Sequence, residues 1–189
     1  MILETLLTKF DKTLREYNLS NYHRLFPPLT ESKIDAFLKS LEIDDEDLKK
    51  LFLWKNGFDP NQDPQIICQI FDCDLLLSIN IIPDYIAANR EYWNNYFIPL
   101  LTDTTGKYVL FNNKVGEDYG KLYLYSNPLF IIEPISYYDS IYSMIETTIE
   151  AYIQEVFKYN EEEDWLDINL NRFNTLAAKI NTKSNHWKK

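Results

Sequence analysis

The sequence predicts an α+β fold: a single domain in which an antiparallel or mixed sheet meander packs against flanking helices. Three observations carry this reading. Apolar residues recur at helical spacing towards both ends of the chain. Short apolar stretches separated by turn signals fill the middle. The 189 residues are 46% hydrophobic, 25% charged and 15% aromatic, which suits one sizeable core and excludes disorder over the whole length.

The elements follow in order. Ile2, Leu3, Leu6, Leu7, Phe10, Leu14 and Tyr17 mark an amphipathic helix over 2–18. The apolar start lacks a basic n-region and a cleavage site, so it reads as helix and not as a secretion signal. Phe26-Pro27-Pro28 breaks the chain, and Thr30 caps a second helix carrying Ile34, Phe37, Leu38 and Leu41. Asp44 to Asp47 open a third helix, where four acids suit the positive end of the dipole. Asn56-Gly57 ends it, since both residues tolerate a left-handed cap. Pro60 to Pro64 is the best internal boundary, although composition is similar on either side.

After Pro64 the pattern changes. Ile66–Phe71 and Leu75–Ile79 read as short strands, followed by a helix from Pro83 to Trp93. Strands are then expected over Phe97–Thr102, Lys107–Asn112, Lys121–Tyr125 and Leu129–Glu133. Thr104-Thr105-Gly106 and Gly116 to Gly120 supply the turns. Leu122 to Tyr125 is apolar on both faces and belongs inside the sheet. A long helix is expected from Tyr138 to Lys158, a solvated turn at Glu161–Asp164, and a last helix over Asn169–Ile180. The chain divides into a helical extension, 1–25, and an α+β domain, 26–189. The apolar stripe of the first helix leaves homodimerisation open.

Composition narrows the function. The formal net charge is −10, which disfavours nucleic acid or an anionic membrane as partner and favours a basic protein. No apolar run approaches the roughly 18 residues of a membrane span, so a cytoplasmic protein is expected. Four glycines leave no phosphate loop, and two Cys with two His exclude a multi-Cys zinc site and a disulfide framework. No cofactor and no metal ligand is predicted.

His23 and His186 lie far apart, and Cys68 and Cys73 read as buried thiols. Ser126, Ser136 and Ser140 near Asp139 have no neighbouring His to make a nucleophile. Asp103-Thr104-Thr105-Gly106 reads as a hairpin turn and not as a metal loop. No catalytic residue is predicted.

Charge patterning says more. Residues 137–170 carry nine acids and one base, a net of −8, while residues 171–189 carry five bases and no acid. Tyr138, Tyr142, Tyr152, Tyr159 and Trp165 are interspersed with these acids. Aromatics beside unpaired charge are the material of a protein-binding hot spot. The predicted partner site is Glu161, Glu162, Glu163, Asp164 and Trp165, with Tyr138 and Asp139 behind them.

Four segments also resemble a known family. Leu48-Lys49-Lys50-Leu51-Phe52-Leu53-Trp54-Lys55-Asn56-Gly57 is similar to the helix-ending segment of the SUKH superfamily, the Smi/Knr-type domain. Pro99 to Leu110 resembles its strand, Asp/Gly turn and return strand. Ser136 to Thr147 resembles its later strand-to-helix segment, and Asn181 to Trp187 its Asn-Pro…Tyr-Trp ending, with Thr182 where Pro is common. The resemblance covers roughly residues 30–187, with these segments in the family's order. The resemblance implies an α+β domain without known catalysis. Many bacterial members are thought to be immunity proteins that bind and neutralise a toxin, often a nuclease. Eukaryotic members are linked to cell-wall regulation through protein partners. The function expected here is therefore stoichiometric binding of a cognate, basic protein toxin. An intracellular scaffold or regulatory interaction domain is the alternative.

Overall fold

A computed structural model describes residues 2–60, 68–72, 75–127, 129 and 131–188. Four helices come first: α1 (Leu3–Tyr17), α2 (Leu19–Arg24), α3 (Glu31–Ser40) and α4 (Glu46–Trp54). The meander follows: β1 (Leu75–Leu76), α5 (Ile82–Ala88), β2 (Phe97–Thr102), β3 (Lys107–Asn112), β4 (Leu122–Ser126) and β5 (Ile131–Tyr138). Then come α6 (Ile141–Ile153), β6 (Phe157–Asn160), β7 (Trp165–Ile168) and α7 (Leu170–Ile180). Strands β1 to β5 form one antiparallel sheet in chain order, and β6 and β7 pair separately. The α+β expectation holds, and β4 is an interior strand.

Strand alternation sorts the sheet into two faces. Val109, Phe111, Leu122 and Leu124 join the main core with the helices. Their neighbours Tyr108, Leu110 and Tyr125 join Trp93 and Phe97 in a second cluster. On the helical side α1 packs along α6 and across α4, and α6 also meets α7. Leu3, Leu6, Leu7, Phe10 and Leu14 are buried in this common core, so residues 2–25 are integral to it. Phe10 alone touches Trp54 and Phe71, at 5.0 and 5.6 Å between ring centres. The apolar stripe of the first helix is thus packed within the chain. Of its members, only Ile2 and Tyr17 remain exposed.

Several boundaries differ from the sequence reading, each for a local reason. Helix α2 has no counterpart in that reading; Asn18 ends α1, and its carbonyl starts the next turn by accepting from Tyr22 N. Helix α5 stops at Ala88, where the Asn89 side chain turns back to Tyr85 O at 2.8 Å. Of the strand expected over Ile66–Phe71, residues 66 and 67 lie outside the described residues, and 68–70 have no regular structure. Pro64 and Cys73 also lie outside them, while Cys68 is fully buried. Tyr138 ends β5 and does not open a helix, because Ser140 and Ser143 form a reciprocal capping box that starts α6 three residues later, at Ile141. Helix α6 ends at Ile153 and not at Lys158. Glu155 adopts a left-handed φ of 52° and turns the chain into β6.

Each outer strand of the sheet is bonded by a segment beside it, β5 at its Ser136–Tyr137 end and β1 at Leu76. At β5, Ser184 Oγ and His186 N donate to Ser136 O, and Asn185 N donates to Ser136 Oγ. Trp187 Nε1 donates to Tyr137 O. Beside β1, Phe58 N donates to Leu76 O and Ser78 N to Phe58 O. Asn56 and Gly57 build this second edge; α4 has already ended at Trp54, with Lys55 extended. Asn56 is buried, donating to Ser78 Oγ and accepting from Ile79 N. Gly57 sits at φ +64°, and a Cβ there would stand 2.6 Å from the Leu76 and Leu77 backbone. Only glycine fits this approach.

Gly57→Ala should therefore destabilise the fold by about 2–4 kcal/mol, read as a lower urea midpoint. Gly116→Ala is the comparison, since its φ is +143° but no atom lies within 4 Å of the added carbon. It should cost about 1 kcal/mol from backbone strain alone. Equal midpoints for the two variants would show that the close approach at Gly57 is not what requires glycine.

Candidate functional site

The acidic segment forms the tip of the β6–β7 hairpin. The strands pair from Phe157↔Ile168 to Asn160↔Trp165, leaving Glu161 to Asp164 as a four-residue loop. Asn160 Oδ1 accepts from the amides of Glu162 and Glu163, at 3.0 and 3.3 Å, so the turn is held by its own side chain. Asp164 closes it at φ 53°, a left-handed conformation that Asp and Asn tolerate. The tip is thus built from the sequence up: an Asx turn first, then an acid at the one left-handed position.

The hairpin is rooted at both levels. At its base Phe157 is buried against Tyr152 and stacks on Phe173, with ring centres 5.1 Å apart. Leu166 N donates to Gln69 Oε1 at 2.6 Å. At its tip Arg24, the last residue of α2, grips both Asp164 oxygens at 2.8 and 2.7 Å. Tyr159 OH donates to the same carboxylate. The guanidinium beside Asp164 holds its carboxyl below the ordinary 3.8, against an opposing effect of burial. Burial first, then Asp164, pushes the Tyr159 phenol up.

Each expected partner residue can now be placed. Glu161, Glu162 and Glu163 are exposed at the tip, and their carboxylates take no ion pair among the described residues. Trp165 is 47% exposed on the next strand position. Asp167, two residues on, is also exposed. Asp164 belongs to the scaffold of the tip, its charge spent on Arg24. Tyr138 is not part of this surface. It is fully buried, because it ends β5 with its hydroxyl donated to Asp72. Asp139 is likewise structural: its Oδ2 accepts from Lys183 N, and its own amide donates to Asn181 Oδ1. The structure therefore brings Glu161–Glu163 and Trp165 together and assigns Tyr138 and Asp139 elsewhere. Arg24, Asn160 and Gln69, which position the tip, carry no sequence signal of that role.

Among the described residues, no group of three His, Cys, Asp or Glu side chains is arranged to hold a metal ion. Nor is any helix among them long and apolar enough to cross a membrane. No protein-family model matches the chain, and no curated protein matches it. The SUKH resemblance accordingly rests on the segments quoted from the sequence.

The Arg24–Asp164 pair yields a test of how the tip is held. Because the Asp164 pKa is lowered in the fold, its stabilisation is present above about pH 3.8 and disappears as pH falls through the folded value. Asp164→Asn keeps the left-handed conformation and removes the charge. At neutral pH the hairpin amides of the variant should exchange about 2–5-fold faster, consistent with the ~0.5–1 kcal/mol of a half-exposed pair. Exchange in α1 should not change. The two proteins should converge in acid; unaltered hairpin exchange at neutral pH would show that the pair does not secure the tip.

Proposed function

We propose that this chain is a non-enzymatic immunity protein that binds and neutralises a cognate, basic protein toxin. The observation that carries the reading is the acidic hairpin: three carboxylates that take no ion pair among the described residues, and a half-exposed Trp, on a turn held by Asn160, Arg24 and Tyr159. A tip already ordered before binding loses little conformational entropy on contact. Free carboxylates steer a basic surface into encounter, and an exposed indole supplies a contact that survives desolvation.

The mechanism is a consequence of this chemistry. Nuclease toxins must hold phosphates, so their working surface is basic. An acidic tip occupying that surface takes the place of the phosphates and excludes the substrate. The net charge of −10 favours the same encounter at long range. The family resemblance supports the reading independently of the hairpin.

The test begins with capture on the tagged chain, from its source cells, at low and high salt, read by mass spectrometry. One stoichiometric basic partner that kills when expressed alone, and not when co-expressed with this chain, is the expected result. Several weakly bound housekeeping proteins would instead favour the scaffold reading. With the partner in hand, Glu161, Glu162 and Glu163→Lys together should slow association about tenfold or more at low salt. Trp165→Ala should mainly raise the dissociation rate. Unchanged association at low salt would rule out the hairpin as the contact surface.

A further inference from the structure

The second face of the sheet carries a cleft of about 690 Å³, within the ordinary range of ligand sites. It lies between the segment after α5, the loop following β3, and strands β4 and β5. It shares no residue with the hairpin, and its chemistry is independent of the immunity reading.

The floor of the cleft is aromatic and fixed from behind. Trp93 meets Tyr108 and Tyr125 edge to face, with ring centres 5.0 and 5.3 Å apart. In front, Tyr96, Phe97 and Tyr123 run in contact, at 4.7 and 5.2 Å. Burial, then the neighbouring Asp118, pushes the Tyr123 phenol up to about 12, so the ring stays neutral. At the mouth Tyr92 is 53% exposed and Val115 91% exposed. Two apolar side chains are thus left to solvent beside a built aromatic floor.

The rim is acidic. Four acids and two bases line the cleft. Asp118 is spent on Lys121, but Glu91, Glu117 and Glu133 are exposed and take no ion pair among the described residues. One internal cation already shows what the floor attracts: Lys114 Nζ lies 5.4 Å over the Tyr96 ring. A lysine head is a point charge, whereas this site offers flat rings bordered by forked carboxylates. A planar guanidinium matches both, stacking on tyrosine and pairing with carboxylate in a bidentate manner.

We infer that this cleft is a docking site for an extended, arginine-bearing segment of another protein. The guanidinium lies flat on Tyr92 or Tyr96, and its N–H groups reach Glu117, Glu91 or Glu133. Lys114 swings off Tyr96 to make room, which its exposed stem allows.

The test is an NMR titration of the isotope-labelled full chain with the capped peptide Gly-Arg-Gly-Arg-Gly. Its citrulline counterpart has the same shape without the charge. Amide shifts should gather at Tyr92, Tyr96 and Glu117, and the citrulline peptide should bind about tenfold more weakly. Tyr92→Ala and Glu117→Gln change exposed side chains, so both variants should fold, and together they should weaken arginine binding about fivefold or more. The triple Glu161–Glu163→Lys chain should bind the peptide in the cleft as the parent does. Equal binding of the citrulline peptide, shifts confined to the hairpin, or no shift up to about 10 mM would each overturn the inference.

Discussion

The fold depends on one buried amide. Asn18, 1% exposed, donates to Gln69 O at 2.7 Å and to the Tyr152 hydroxyl at 2.8 Å. Tyr152 passes a bond on to Ile70 O, and Asn21 donates to Asn18 Oδ1. Arg24 continues from Asn21 Oδ1 to Asp164, while Gln69 Oε1 receives Leu166 N. A single polar chain thus runs from the centre of the core to the hairpin tip. Each buried group left without its partner costs about 1–3 kcal/mol. The helices α1, α2 and α6, the segment 68–70 and the hairpin are therefore set by the same constraint, and the acidic tip takes its position from the interior.

A second buried network shows how differently the molecule uses its carboxylates. Asp72, its side chain 4% exposed, receives the hydroxyls of Tyr137 and Tyr138 and lies 3.6 Å from Lys107 Nζ. It ties the stretch before β1 to β3 and to the end of β5, where residues 184–187 also dock. Here an acid is neutralised and enclosed. At Glu161–Glu163, and at Glu91, Glu117 and Glu133 around the aromatic cleft, acids stand in water without ion-pair partners among the described residues. A net charge of −10 is the same total in either case; the distinction lies in which carboxylates the fold leaves available.

Much of the architecture is legible in the sequence wherever a strong period meets a clear boundary. Strands β2 and β3 begin and end where the alternation and the Asp103–Gly106 turn place them. Asp103 holds that turn by accepting from Thr105 N and Lys107 N. Helices α1 and α7 follow equally from their apolar stripes. The β6 strand is hidden because Val156 continues the helical spacing of Ile149, Tyr152 and Ile153, and the break at Glu155 uses no glycine. The acid run of the candidate site is visible as composition, but its mounting is not. Arg24 and Asp164 are 140 residues apart, and nothing local links them. Tyr138 looks like a surface aromatic among acids; only the pairing of β5 shows that it turns inward. The aromatic face of the sheet is obscured for a related reason, since alternating apolar residues on both sides of a strand read simply as core.

The contact between Asn18 and Tyr152 spans 134 residues of chain. On the ribosome, α1 emerges long before α6; its stripe can meet α4 early, but its larger seam, against α6, waits until most of the polypeptide has followed. Long-range closure of this kind slows folding and prolongs the lifetime of exposed apolar surface. The hairpin, mounted on the same polar chain, takes its anchor at Arg24 from a residue made 140 positions earlier.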